Sequence, residues 1–177
     1  GWQDAINTIT VNDGVPALAV SDASGVSQQE INNKIKQFKT LYDFGAAGDG
    51  VTDDSDAVRA AFNYGQIIVT AGNYLITNTV YVNNDVALLG LGGTFKPNKK
   101  GGVFILTGGV RFLGDNLNID GSLYPFNWNA DHGMYIFSGG GGSIQAQSFI
   151  LTNSNIKNVY GAGIRLTAKI ITVKNNV

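Results

Sequence analysis

Tyr42-Asp43-Phe44-Gly45-Ala46-Ala47-Gly48-Asp49-Gly50-Val51-Thr52-Asp53-Asp54 crowds aromatic, glycine and aspartate residues into one stretch. It runs directly into Ser55 to Tyr64, where Val58, Ala61 and Phe62 share a face. Glycine and aspartate favour tight turns, and acids suit the positive first turn of a helix. Thr52 or Asp53 is placed to cap that helix, and Gly65 to end it in a left-handed conformation. The stretch therefore predicts a loop followed by a short helix at about 54–64.

Downstream of Gly65 the pattern changes to short runs of β-branched and aromatic residues punctuated by Gly and Asn. The predicted strands are 66–69, 74–82, 86–91, 103–106, 110–113, 117–119, 134–137, 149–151, 155–156, 163–166 and 170–173. No segment of helical length and period interrupts them, which disfavours alternating strand–helix folds. Val110-Arg111-Phe112-Leu113-Gly114-Asp115-Asn116-Leu117-Asn118-Ile119 and Phe149-Ile150-Leu151-Thr152-Asn153-Ser154-Asn155-Ile156 repeat one strand–turn–strand unit. Units of this kind stack as parallel strands, each burying its inward residues on the next, with Asn side chains laddering at the corners. An antiparallel sandwich is the structural rival. It calls for hairpin dipeptides at intervals, and the Asn12-Asp13-Gly14 run lies upstream of the strand-rich region.

Composition narrows the function classes. The chain has 177 residues with 12 basic and 13 acidic side chains, and 14% are charged against a usual level of about 25%. A net charge of −1 leaves no cationic excess for phosphates, so nucleic acid is not an expected partner. No apolar run approaches the ~20 residues of a membrane span. Absence of cysteine removes disulfides, thiolate metal sites and thiol nucleophiles. His132 is the single histidine, which removes multi-histidine metal sites and leaves a serine triad one possible base. No metal or cofactor is expected. Glu30 is the only glutamate, so carboxylate chemistry falls to aspartates. The lone methionine is Met134, and the apolar strand pattern at 170–177 has no turn or cap behind it; the expectation is a piece of a longer chain.

Residues 1–40 form an expected leader, with 41–177 as the strand-rich body. Ser27-Gln28-Gln29-Glu30 has the form of a capping box, after which Ile31, Ile35 and Phe38 trace a narrow apolar stripe. That short helix either packs on its own domain or forms a seam between identical chains, since a helix of about a dozen residues does not hold itself in water.

Asp43 to Phe62 resembles the opening motif of the pectate-lyase-like right-handed parallel β-helix family. That family is shared by plant-polymer lyases, rhamnogalacturonases and bacteriophage tailspike depolymerases. The stretch Ile68-Val69-Thr70-Ala71-Gly72-Asn73-Tyr74 is similar to the family's strand and turn, with Thr70 where proline is usual. Gly25 to Asn32 resembles the neck of phage tailspikes and tail fibres. The resemblance implies an all-β, right-handed parallel β-helix with a short neck helix and a capping helix. It further implies a homotrimer carried on the phage tail or baseplate by its leader, which binds and depolymerises a bacterial capsule or O-antigen. A non-catalytic adhesive tail protein and a secreted polysaccharide lyase or hydrolase are the alternatives.

Two acidic groups need separate readings. Asp49, Asp53 and Asp54 fit capping and turn chemistry without a metal. Asp115, Asp120 and Asp131 are the acids of the strand region, with Asp120-Gly121 read as a turn. In the long loop 122–133, Tyr124, Trp128 and His132 are the candidate substrate-binding residues. Aromatic rings there either stack on sugar faces or cover the flank of the fold. Catalytic acids in resembling enzymes lie on later repeats, so the active site is expected beyond Val177.

Overall fold

All twelve strand pairings among the described residues are parallel. That removes the antiparallel sandwich. The computed structural model describes residues 38–125, 133–139 and 146–177. The expected leader, its capping box at Ser27 to Glu30 and most of its apolar stripe lie outside them. Lys39–Val177 forms one compact unit.

The strands sort into three sheets. The first joins β1 (Lys39–Thr40), β3 (Ile67–Thr70), β6 (Val86–Gly90), β9 (Arg111–Asp115), β12 (Ala146–Thr152) and β15 (Ala168–Lys174). The second joins β2 (Asp49–Asp53), β4 (Asn73–Ile76), β7 (Thr94–Pro97), β10 (Asn118–Asp120) and β13 (Asn155–Lys157). The third joins β5 (Val80–Val82), β8 (Gly101–Leu106), β11 (Met134–Gly139) and β14 (Gly161–Arg165). From β3 onward the chain visits first, second and third sheet in unbroken rotation. In the opening round, α1 (Ser55–Phe62) takes the place of a third-sheet strand and packs on β5.

Alternation explains most of the core, with a break in β8 and β11, where Val103-Phe104 and Ile136-Phe137 are buried in succession. The inward rows align by register: Tyr74 with Phe95, Phe104 with Phe137, and Phe112 with Phe149. Rings from different sheets then meet, Phe95 with Phe104 at 5.4 Å and Phe112 with Phe137 at 5.1 Å between centroids. Phe62 of α1 joins them at 5.4 Å from Phe104. One buried cluster is therefore shared by all three sheets and the helix.

Asn residues mark the corner from first to second sheet. Asn116, Asn153 and Asn175 hold φ of 53°, 52° and 54°, a left-handed conformation that Asn tolerates better than other non-glycine residues. Their amides ladder across rounds, Asn175 to Asn153 at 3.3 Å and Asn153 to Asp115 at 2.7 Å. At the earlier corner the Tyr74 hydroxyl accepts from Gly72 N at 2.9 Å and Ala71 N at 3.3 Å, and these hydrogen bonds fix the turn.

Several boundaries differ from expectation. The run 74–82 is two strands, because Ser55 Oγ accepts the backbone N–H groups of Thr77 and Asn78, each at 3.0 Å, and bends the chain there. β1, β2 and β7 were not expected; Lys96 and Pro97 disguise β7, whose last residue is the proline. Asp54, rather than Thr52 or Asp53, sits at the N-cap of α1, and Asn63 rather than Gly65 ends it. Gly65 does adopt the left-handed conformation, at φ 79°, one step into the following turn.

Candidate functional site

The outer face of the third sheet combines aromatic and cationic side chains. Register places Tyr81, Ile105, Ser138 and Arg165 in one outward row. Gly102, Tyr135 and Ala162 form the next. The Arg165 guanidinium lies 4.7 Å from the centroid of the Tyr135 ring, a cation–π contact. Tyr81 is half exposed. At the rim, Lys99 Nζ donates to the carbonyls of Gly102 and Lys100, both at 2.7 Å. Burial pushes its ammonium below the usual lysine pKa. The half-exposed Tyr81 ring, on a face that also carries Arg165 and Lys99, suits a sugar chain, above all one bearing acidic substituents.

The residues expected from sequence lie between β10 and β11. Tyr124 follows a 3-10 turn at Gly121–Leu123, half-buried and packed on the core. Trp128 and His132 lie outside the described residues, as does Asp131. Chain connectivity brings the loop to Met134, adjacent to Tyr135. Sequence reasoning missed Tyr135 and Arg165. Tyr135 and Ser138 both face outward although three residues apart, because Ile136 and Phe137 between them are both buried; strict alternation hides this, and the Tyr135–Arg165 pairing depends on the register between β11 and β14.

The aspartates are committed to structure. Asp54 accepts from Ala47 N at 2.7 Å and Gly48 N at 3.1 Å. Asp49 accepts from Val51 N and Thr52 N, each at 2.8 Å, and those bonds hold its carboxyl below the usual range. For Asp53, burial opposes ionisation, yet hydrogen bonds from Ser55 and Thr77 outweigh it and lower the pKa. Asp115 is lowered by bonds from Thr152 and Asn153. Asp120 is lowered chiefly by Asn158, with Ser122 N and Lys157 nearby. A general acid needs the opposite, an environment that retains the proton. Among the described residues, no three His, Cys, Asp or Glu groups gather into a metal-holding set.

No family model matches the chain. Among curated proteins, it is 33% identical over 89 residues to a glucan 1,3-beta-glucosidase of Cochliobolus carbonum, a match that spans 40% of this chain and 11% of that enzyme. Among solved structures, it is similar to ORF18 of Geobacillus virus E2, with TM-score 0.49 and 19% identity over 73% of this chain and 31% of that one. The chain thus covers less than a third of the length of either relative.

Proposed function

We propose that this chain is the N-terminal part of a bacteriophage tailspike, with residues 1–40 as leader and 41–177 as the cap and first turns of a right-handed parallel β-helix. The carrying observation is the rotation of consecutive strands through three parallel sheets around one core. Parallel crossovers within a sheet are right-handed in about 98% of cases, which supports the handedness. Loop 43–54 and α1 cover the first round, where a bare core and unpaired edge would otherwise face water.

The parent then acts as a homotrimer on the virion, attached to the tail or baseplate through its leader. It binds bacterial capsule or O-antigen at the host surface, and the full-length protein depolymerises it. Partial identity to a glucosidase supports a polysaccharide theme. Tyr135, Arg165 and Tyr81 of the third sheet, together with Tyr124, Trp128 and His132 of the loop, supply the binding surface. A non-catalytic adhesive tail protein is the second reading.

The test incubates the full-length parent with purified host capsule and O-antigen and follows polymer size by gel filtration. Shortened polymer, with binding weakened by Tyr135→Ala and Arg165→Ala, is the expected result. Intact polymer with retained binding selects the adhesin, and neither binding nor cleavage refutes the polysaccharide reading. Sedimentation of the parent as other than a trimer refutes the assembly.

A further inference from the structure

The outward rows of the three sheets differ in chemistry. On the second sheet they read Asn73, Thr94, Asn118 and Asn155, with Leu75 beside Lys96 and Asp120 beside Lys157 further along. Leu75 apart, these positions are polar, as a solvated face requires. On the first sheet the aligned outward row is Ile67, Ala87, Leu113 and Ile150. Ile67 and Leu113 are each 37% exposed, so this row faces water rather than the core. It forms the floor of a groove of ≈ 390 Å³.

Fixed polar groups stand at one edge of that floor. Arg111 donates its backbone N–H to Asp85 Oδ1 at 2.8 Å and its guanidinium to Oδ2 at 3.0 Å. Both side chains remain more than half exposed, at 66% and 51%, so further hydrogen-bonding positions face the groove. A second hollow of ≈ 540 Å³, rimmed by Tyr64, Asn83 and Asn84, adjoins the first at Gly65 and Asp85. Each lies within the roughly 300–1,000 Å³ of small-molecule sites.

The chemistry selects a ligand. Arginine and aspartate cancel in charge, so the edge offers both donors and acceptors without favouring an anion or a cation. The floor is apolar and flat, matching the C–H face of a sugar ring, while planar carboxylate, guanidinium and amide groups match paired hydroxyls. We propose that this groove binds a neutral glycan segment, one unit over the apolar floor and the next against the amide-rich hollow, at a site separate from the third-sheet face. The proposal rests on the polysaccharide reading for its biological ligand, but the groove is tested on its own.

Backbone amide NMR of the 177-residue chain, titrated with maltose, cellobiose, lactose and laminaribiose in turn, provides the test. At least one disaccharide is expected to give saturable shifts confined to residues 65–67, 83–87, 111–113 and 148–150. Ala87→Trp, which fills the floor, and Arg111→Met, which removes the donor edge, are expected to weaken that binding about tenfold or more. Dispersed spectra identify the variants that retain the fold. Absence of saturable shifts with every disaccharide, shifts elsewhere, or shifts unchanged in a folded variant overturn the proposal. So does sedimentation showing that Ala87→Trp abolishes self-association of the chain while leaving sugar binding intact, which marks a contact between copies. A parent that ignores host polysaccharide while these shifts persist refutes the function above and leaves the groove standing.

Discussion

The carboxylate of Asp54 grips the backbone N–H of Ala47 at 2.7 Å, tying the glycine-rich loop to the start of α1 from a position only 2% exposed. Its second oxygen takes Gly48 N, and its own N–H donates to Leu75 O at 2.9 Å. Asp54, through its side chain and its backbone N–H, thus connects the loop, the helix and β4.

Asp54→Ala leaves two loop amides without that acceptor. It is expected to lower unfolding free energy by about 1–3 kcal/mol in urea titration, with Asp54→Asn costing less because one oxygen remains.

Asn153 carries both a left-handed backbone and two ladder contacts. Asn153→Ala is expected to lose about 1–2 kcal/mol for the backbone and about 1 kcal/mol more for hydrogen bonds. Asn153→Gly should recover the backbone part. Equal losses for the two variants, by the same urea titration, refute this division.

At Gly90 an added Cβ would collide with the Asn116 carbonyl oxygen, a backbone atom that cannot swing aside. Gly90→Ala is expected to cost about 3 kcal/mol, as overpacking a tight contact does. Thermal unfolding within a degree of the parent protein would contradict the close approach between these rounds.

Breaking the Arg111–Asp85 pair should barely alter stability, because both partners are largely exposed. Arg111→Met is expected to change unfolding free energy by less than about 1 kcal/mol. A larger change would assign the pair to the fold rather than to the groove.

Acid sensitivity has a definite sign. Asp43, Asp49, Asp53, Asp85, Asp115 and Asp120 all have lowered pKa values, Asp85 through its hydrogen bonds from Arg111. Each therefore stabilises the fold above the unfolded aspartate pKa of about 3.9 and loses that contribution as pH falls through its folded value. Urea midpoints are expected to hold from neutrality to about pH 5 and fall progressively below about pH 4.

How much was legible varied by element. α1 was readable because Val58, Ala61 and Phe62 repeat at helical spacing beneath a run of acids. β6, whose burial alternates regularly from Val86 to Gly90, is readable for the same local reason. β7 escaped notice because Lys96 points outward and Pro97 closes the strand, so its inward Phe95 stood alone as a signal. The division of 74–82 depended on Ser55, far away in sequence, which captures the amides of Thr77 and Asn78.

Local spacing settles the inward face of the regularly alternating strands and the bounds of α1 to within a few residues, because those properties follow from neighbours two to four positions apart. Folding alone sets Arg165 over Tyr135, bends the chain at Thr77 and Asn78, and aligns Ile67, Ala87, Leu113 and Ile150 along one groove. Parallel strands meet partners some twenty to forty residues away, and a shift of one residue would turn every such side chain to the opposite face.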